Sequence, residues 1–558
     1  MTSGVERMYM YMDAVESGTI PACREVKQAV ARQRRDLARE DSPWWFDEEK
    51  ADRVVRFVEL LPHVKGRQFV GKNLKMEPWQ CFILCVVFGW VDIDDIRRFK
   101  AVYIEVPRKN AKSTLTSAIG LYLLVADDEP GAEVYSAATG VEQAKIVFGS
   151  AKQMVDKTQA FRDNFGAATY GGAMQAGSIV VMDTASSFRP LARDSGGNLD
   201  GLNVHGGLID ELHAHKTRDI YDVIETGTGA RQQPLIWAIT TAGSNRAGIC
   251  YEQRGYVKRI LNKTVDDDRY FGIIYTIDKG YDDIPDDDWT QRSSWMKANP
   301  NWGISVEPDD MERLASKAIS TSSAQNNFLT KRLNVWVNAG EAWMNMIKFE
   351  KCVRAIDWDD MKGYPLWIAL DLASRVDIAA INYTWLKDGQ YWSKSRYYIP
   401  QDTVEEETNA SYSGWTIDEY LIETQGGKTD FSLIEKQLLE DFDTFSVQGI
   451  AYDPYQAQYL VNNLSDSHID MIEYRQTVAN MSEPMKQWEG FVNDGKFFYD
   501  GNPVTTWMVA NVVCRIDEKD NVYPRKELRE NKIDGAVAQI MTLGLMLTEE
   551  ESDSVIFL

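Results

Sequence analysis

The 558 residues include only six cysteines and five histidines. Cys23, Cys81, Cys85, Cys250, Cys352 and Cys514 are scattered without a CxxC pair, so reduced, mostly buried thiols are expected rather than a disulfide framework. With so few histidines a zinc site is not expected, and any catalytic metal falls to carboxylates. Long hydrophobic runs are also missing. The longest, Cys81 to Val91, is too short to cross a bilayer and reads as a buried helix. The N-terminus lacks the charged, apolar and small-residue succession of a secretory signal. Positive charge is in deficit: 61 Lys and Arg face 84 Asp and Glu, a net charge of −23. That argues against nucleic acid wrapped over the whole surface, though not against a basic track in one groove. No internal repeat or low-complexity segment is found.

What is present describes a globular chain, 44% hydrophobic and 26% charged, long enough for two or three domains. Residues 1–60 read as a helical N-terminal extension. Val26, Ala29, Val30 and Leu37 sit there among Lys27, Arg32, Arg34, Arg35 and Arg39, as on a solvated basic face or one that meets DNA or a partner. From Val102 the pattern turns to strand, turn and helix. β-rich runs at 102–106, 133–137, 179–182, 206–209, 235–240 and 272–275 alternate with helical stretches, which predicts an α/β domain with a mostly parallel sheet over 61–340. A polar helical stretch, 308–337, closes it. After a linker at 341–363, a second strand-rich block over 364–558 starts at Leu366 and ends in helices. The acidic triplets 266–268, 286–288 and 549–551 read as solvated loops or tails.

Two constellations carry chemistry. In the first, Pro107-Arg108-Lys109-Asn110-Ala111-Lys112-Ser113-Thr114 follows a strand and opens a helix, where backbone N–H groups favour a phosphate. Lys112 is placed to reach the β- and γ-phosphates and Ser113 to ligate Mg²⁺. Val106 and Ala111 stand where the standard pattern has glycine. Asn110, tolerant of unusual backbone angles, is expected to compensate. An apolar run from Val204 ends in Asp210-Glu211, as Mg²⁺ binding and water polarisation require. Thr240 and Thr241, ahead of Ala242-Gly243, end another strand beside the nucleotide. No metal role is expected for His213 or His215, for want of further ligands nearby.

In the second, Asp371 and Asp453 end strands and Asp534 opens a helix. Each has apolar neighbours, as residues at the edge of a common cleft do. Three such carboxylates suit two divalent ions for in-line phosphodiester cleavage, with Asp377 as an auxiliary fourth ligand. Oxygen ligands favour Mg²⁺ or Mn²⁺.

In this order Gln80, the 108–113 loop, Leu208-Ile-Asp-Glu-Leu-His213 and Thr240-Thr-Ala-Gly243 resemble the ATPase of tailed-phage terminase large subunits. Asp371, Asp453 and Lys532-Ile-Asp-Gly535 resemble the ribonuclease-H-like nuclease of the same family. The resemblance spans residues 70–545. It implies a P-loop ATPase followed by a ribonuclease-H-like nuclease, using ATP with Mg²⁺ in one and two Mg²⁺ or Mn²⁺ in the other. It implies that Met76 to Gln80 recognises adenine, that Arg108 contacts phosphate, that Thr240 to Gly243 couples hydrolysis to movement, and that Arg189 or Arg193 is the arginine finger. Implied partners are double-stranded DNA, a small terminase subunit and the portal of a procapsid, met by a homo-oligomeric ring in the bacterial cytoplasm and absent from the mature virion; no membrane is implied. Two other readings compete. A helicase-like translocase-nuclease predicts further helicase motifs between Gly243 and Asn338, and none is found. A silent prophage-derived protein that binds portal or DNA predicts a lost catalytic position. Lys112, Glu211, Asp371, Asp453 and Asp534 are all present.

Overall fold

The computed structural model describes residues 2–67, 69, 71–138, 141–171, 177–192, 201–215, 217–246, 248–281, 283–337, 343–372, 377–405, 411–454, 457–466, 469, 471–516, 520–526 and 531–555. The chain divides into two compact units, Met1–Ile319 with Asn327–Val337, and Ser320–Asn326 with Asn338–Leu558.

The first unit opens with α1 (Gly4–Glu16), α2 (Arg24–Leu37) and α3 (Glu48–Leu60). Ser3 and Glu6 cap α1 reciprocally. These helices are not detached from the rest of the unit. Val5, Met8, Met12, Val26, Val30, Val54 and Val58 are buried in its core. Of Lys27, Arg32, Arg34, Arg35 and Arg39, in and just after α2, three are used internally: Arg32 donates to Tyr270 O and Asp267 O, Arg34 pairs with Asp13 and Glu16, and Arg39 pairs with Asp41 and Asp268, whereas Lys27 and Arg35 are exposed. Asp268 also holds the buried Arg98, and Asp287 holds Lys297. These acids of the first two triplets are therefore structural partners, not solvated charge. The apolar run becomes α4 (Pro78–Gly89), started by Pro78 and buried from Trp79 to Gly89.

An eight-stranded sheet comes next. Its strands are β1 (Ala101–Glu105), β2 (Glu133–Ala138), β3 (Ala167–Tyr170), β4 (Ser178–Val181), β5 (Ser186–Ala192), β6 (Val204–Asp210), β7 (Leu235–Thr240) and β8 (Tyr270–Ile274), in the order β8-β1-β7-β6-β2-β5-β4-β3. The six strands from β8 to β5 pair in parallel, and β4 and β3 are antiparallel. Helices cover such a sheet on both faces, so its central strands read as unbroken apolar runs; all six residues of β7 are buried. Gly207 in β6 admits no side chain, since an added Cβ would lie 2.3 Å from Ile224 Cγ2. The registers Glu105↔Thr240 and Asp210↔Ile239 bring the carboxyl ends of β1, β6 and β7 to one edge. α5 (Lys112–Val125) springs from that edge, and α6 (Ile249–Leu261) and α7 (Ser322–Arg332) come later in the chain.

The second unit holds a mixed seven-stranded sheet of β9 (Pro365–Asp371), β10 (Ala379–Lys387), β11 (Gln390–Pro400), β12 (Ile422–Thr424), β13 (Ser446–Tyr452), β14 (Met471–Glu473) and β15 (Phe497–Tyr499). The order is β12-β11-β10-β9-β13-β14, with β15 beside β11. Its longer helices include α8 (Phe431–Thr444), α9 (Val478–Asn493), α10 (Pro503–Asn511) and α11 (Asp534–Val555), and it also holds the hairpin β16 (Val512–Ile516) and β17 (Val522–Lys526). Trp343, Met344, Phe349 and Cys352 belong to its core, so the 341–363 segment is packed in its described part. A buried polar cluster seats α11 on the sheet. Gln539 bonds Asn382 and Thr384 at 3.0 and 2.9 Å, and Thr542 donates to Asn382 Oδ1 at 2.8 Å. Satisfied networks of this kind select one register of a helix on a sheet. All six cysteines are free thiols, five of them buried. Among the described residues no helix is long and apolar enough to cross a membrane.

Candidate functional site

The loop between β1 and α5 achieves its turn without glycine. Its left-handed residues are Lys109 (φ 74°) and Ala111 (φ 58°), not Asn110. That corrects the expected role of Asn110, which serves as a staple. Fully buried, it donates to Pro107 O (3.1 Å) and Asn299 Oδ1 (2.9 Å) and accepts from Asn301 N–H (3.0 Å). Asn301 Oδ1 takes a hydrogen bond from Trp79 Nε1 (2.7 Å), and Ser305 Oγ donates to Lys109 O (2.6 Å), so the loop is tied to the start of α4. There Gln80 is buried, its side-chain oxygen accepting from Glu77 N–H (3.0 Å) as a helix cap. Arg108 and Lys109 are exposed, and Thr114 is half-buried in the first turn of α5.

Lys112 points back into the loop, donating to Val106 O (3.2 Å) and Pro107 O (3.3 Å), with Glu211 Oε1 at 3.9 Å. Burial lowers its pKa. Ser113 Oγ donates to Asp210 Oδ2 (2.7 Å). Burial, and then the charge of Glu211, push Asp210 up to about 6. For Glu211 burial acts upward too, but the hydrogen bond from His213 and the charge of Lys112 outweigh it and hold the carboxylate at about 2. Glu211 itself sits at φ 53°, a left-handed kink at the strand end. The pair is thus divided, with Glu211 ionised and Asp210 high in its range.

His213 lies under Glu211. Its Nδ1 is 3.2 Å from Glu211 Oε2 and from Thr240 Oγ1, and its Nε2 is 3.0 Å from Lys331 Nζ. Thr241 Oγ1 donates to Glu211 Oε2 (3.3 Å), and Ala242 N–H donates to Asn334 Oδ1 (2.6 Å). Burial holds Lys331 down at about 8. Of the two arginines, Arg189 donates to Tyr135 Oη (3.0 Å) and lies 4.0 Å from Glu133, at the start of β2 and so at the edge of the sheet away from Asp210. Arg193 lies outside the described residues.

In the second unit Leu370 pairs with Tyr452 across parallel strands, which sets Asp371 and Asp453 side by side. Gln476 spans them, Nε2 donating to Asp371 Oδ1 (3.0 Å) and its N–H to Asp453 Oδ2 (3.3 Å). Asp534 opens α11 beside them. A cleft of about 480 Å³ is lined by Asp371, Gln476, Tyr523, Arg525, Lys526 and Asp534. Burial and the charge of Asp534 raise Asp371 well above the usual carboxylate range, and burial and the charge of Asp377 raise Asp534 to about 6. Asp377 is paired with Lys532. Among the described residues no three acidic, histidine or cysteine side chains lie close enough to hold an ion as they stand. The mutual repulsion is nonetheless what a divalent cation relieves, and the all-oxygen donor set suits Mg²⁺ or Mn²⁺.

Two family models match this chain. The terminase large subunit ATPase domain matches residues 78–259, and the terminase large subunit endonuclease domain matches 264–550, just over half of the chain. The chain belongs to the terminase large-subunit family. It is 37% identical over 371 residues to "Protein YmfN" of Escherichia coli K12, covering 64% of this chain and 80% of that one. It is 25% identical over 516 residues to the large terminase subunit of Enterobacteria phage HK97, covering 90% and 97%. The crystal structure of the HK97 large terminase aligns with a TM-score of 0.44 at 23% identity, covering 89% of this chain and 99% of that one. This terminase is therefore an ATP-hydrolysing, DNA-cutting enzyme of phage genome packaging.

Several residues at the two sites of this terminase went unforeseen. Lys331, Asn299, Asn301 and Gln476 reach them from distant segments and carry no local signal. His213, set aside as a metal ligand, stood in the Asp-Glu-Leu-His string that marks the strand end.

Proposed function

We propose that Lys112, Ser113 and Asp210 hold ATP with Mg²⁺, that Glu211 polarises the attacking water, and that Asp371, Asp453 and Asp534, assisted by Asp377, hold two Mg²⁺ or Mn²⁺ for DNA cleavage. The observation that carries this is the common edge of β1, β6 and β7. It puts the lysine loop, the hydroxyl of Ser113 and a split pair of carboxylates around one space. Backbone N–H groups of 108–113 and the N-terminus of α5 take the phosphates, with Arg108 alongside. The water oxygen bonds to the γ-phosphorus while the bond from that phosphorus to the bridging oxygen breaks. Glu211 accepts the water's proton, and ADP leaves with the electron pair. Gln80 reads the base, and Thr240 and Thr241 pass the change onward. In the nuclease, divalent ions supply charge neutralisation and an activated water. Gln476 keeps Asp371 and Asp453 facing the cleft, and Arg525 and Lys526 meet DNA phosphate.

The motor spans 61–340 with a helical extension at 1–60, and the nuclease spans 364–558 beyond a linker at 341–363. Copies assemble as a ring on the procapsid portal in the host cytoplasm, presented with double-stranded DNA by a small subunit, with Arg189 or Arg193 completing a neighbour's site. DNA contacts are chiefly to phosphate and salt-sensitive.

The test is Mg²⁺- or Mn²⁺-dependent cleavage of plasmid DNA together with ATP turnover. Wild type cuts, Asp371→Ala does not, and Lys112→Ala loses turnover yet still nicks DNA. Cutting by Asp371→Ala at the wild-type rate overturns the carboxylate assignment.

A further inference from the structure

Hydrogen bonds hold His213 on every side, its own backbone N–H donating to Thr240 Oγ1 (3.0 Å). Thr240 Oγ1 gives its hydrogen to Thr241 O (2.9 Å), and Thr241 Oγ1 gives its hydrogen to Glu211 Oε2 (3.3 Å). His213 Nδ1 faces Glu211 Oε2 at 3.2 Å, an oxygen that only accepts, with Thr240 Oγ1 at 3.2 Å and Thr241 Oγ1 at 3.3 Å beside it, so its neighbours favour a hydrogen on Nδ1. On the other side Nε2 meets the Lys331 ammonium at 3.0 Å, which has donors only, so Nε2 must be bare. Lys331 is held there from two directions. Nζ also donates to Ala242 O (3.3 Å), and Lys331 O accepts from Arg108 N–H (2.9 Å) in the phosphate loop.

We infer that His213 is a positioning residue for Glu211, and that Lys331 sets the imidazole tautomer that lets it be one. This rests on the reading of Glu211 as the residue that polarises water. With Lys331 docked, the Nδ1 hydrogen fixes one oxygen of Glu211 and leaves the other, Oε1, for water. With Lys331 withdrawn, only the neighbours of Nδ1 still favour that tautomer, and the other, whose Nδ1 lone pair repels the carboxylate, gains population. The peptide carbonyl that Lys331 also holds belongs to the 240–243 segment, so the base and that segment share one hydrogen-bond network.

The test is steady-state ATP hydrolysis by the full chain. His213→Ala lowers kcat about tenfold to a hundredfold and leaves KM within about twofold, as for loss of a residue that orients a catalytic group. His213→Asn, whose side-chain amide sits where Nδ1–H was, recovers most of the loss. Lys331→Met lowers kcat in the wild-type background and has no further effect on His213→Ala, because the two act in series. The inference is overturned if His213→Ala keeps kcat, if it changes KM alone, or if the two effects multiply in the double variant. Glu211→Gln separates the failures. Inactive Glu211→Gln beside active His213→Ala rejects only the relay, whereas turnover by Glu211→Gln rejects the underlying reading.

Discussion

Asn110→Ala is expected to weaken nucleotide binding by about two orders of magnitude while the chain stays folded. The amide has no exposed surface, and its truncation leaves Asn299 Oδ1 and Asn301 N–H without the partners they had at 2.9 and 3.0 Å. Pro107 O keeps Lys112 Nζ at 3.3 Å, and Arg108 O, 3.4 Å from the amide, belongs to an exposed residue, so two buried groups are orphaned, at about 1–3 kcal/mol each. Against this stand two left-handed residues without glycine's freedom, Lys109 at φ 74° and Ala111 at φ 58°, also about 1–3 kcal/mol each. The two sums are of the same size, so the staple decides whether the turn is the preferred state of the loop. A loss of about 3 kcal/mol that falls on the loop is about a hundredfold in affinity, at about 1.4 kcal/mol per decade. Calorimetric titration with ADP and Mg²⁺ measures it, with thermal unfolding as the control for global stability. Adding Lys109→Gly and Ala111→Gly to Asn110→Ala removes the strain and is expected to regain at least about tenfold. Unchanged affinity in Asn110→Ala, or no gain from the glycines, refutes the reasoning.

Three further outcomes are expected from other parts of the structure. An added Cβ at Gly535 lies 2.5 Å from Tyr397 Oη and 2.6 Å from its Cε1, so Gly535→Ala displaces the start of α11 and Asp534 with it; plasmid cleavage is expected to fall about a hundredfold with ATP turnover unaffected. Burial, then His213, lower His215 from its ordinary 6.5 to about 4. The unfolded chain therefore takes the proton first, and stability present above pH 6.5 is lost as pH falls toward 4, by about 3 kcal/mol in all. Denaturant titrations at several pH values are expected to show this slope in wild type and a flatter one in His215→Gln. Gln476→Ala is expected to reduce cleavage about tenfold by freeing Asp371 and Asp453 to turn, an effect that higher Mn²⁺ reverses in a metal titration if the carboxylates remain in place.

How much was legible in the sequence depends on the range over which each feature is decided. Strands buried on both faces read directly as apolar runs. β7 was expected with the ends it has, and α5 and the start of α11 were likewise visible. Short edge strands such as β3, β12 and β14, with little buried surface to write into their composition, were not. The chemistry of strand ends was legible too, because Asp210-Glu211, Asp371 and Asp453 each terminate an apolar run. Tertiary structure alone decided the rest. Register set Asp371 beside Asp453, since a parallel ladder aligns residues 82 positions apart through hydrogen bonds that no local pattern encodes. Packing brought Lys331 to His213, and so chose a tautomer and an orientation for Glu211. The phosphate loop shows the division most plainly. Its place between strand and helix was determined by local sequence, but which residues took the left-handed angles was decided by a buried amide bonded to residues 299 and 301, whose nearness only the fold creates.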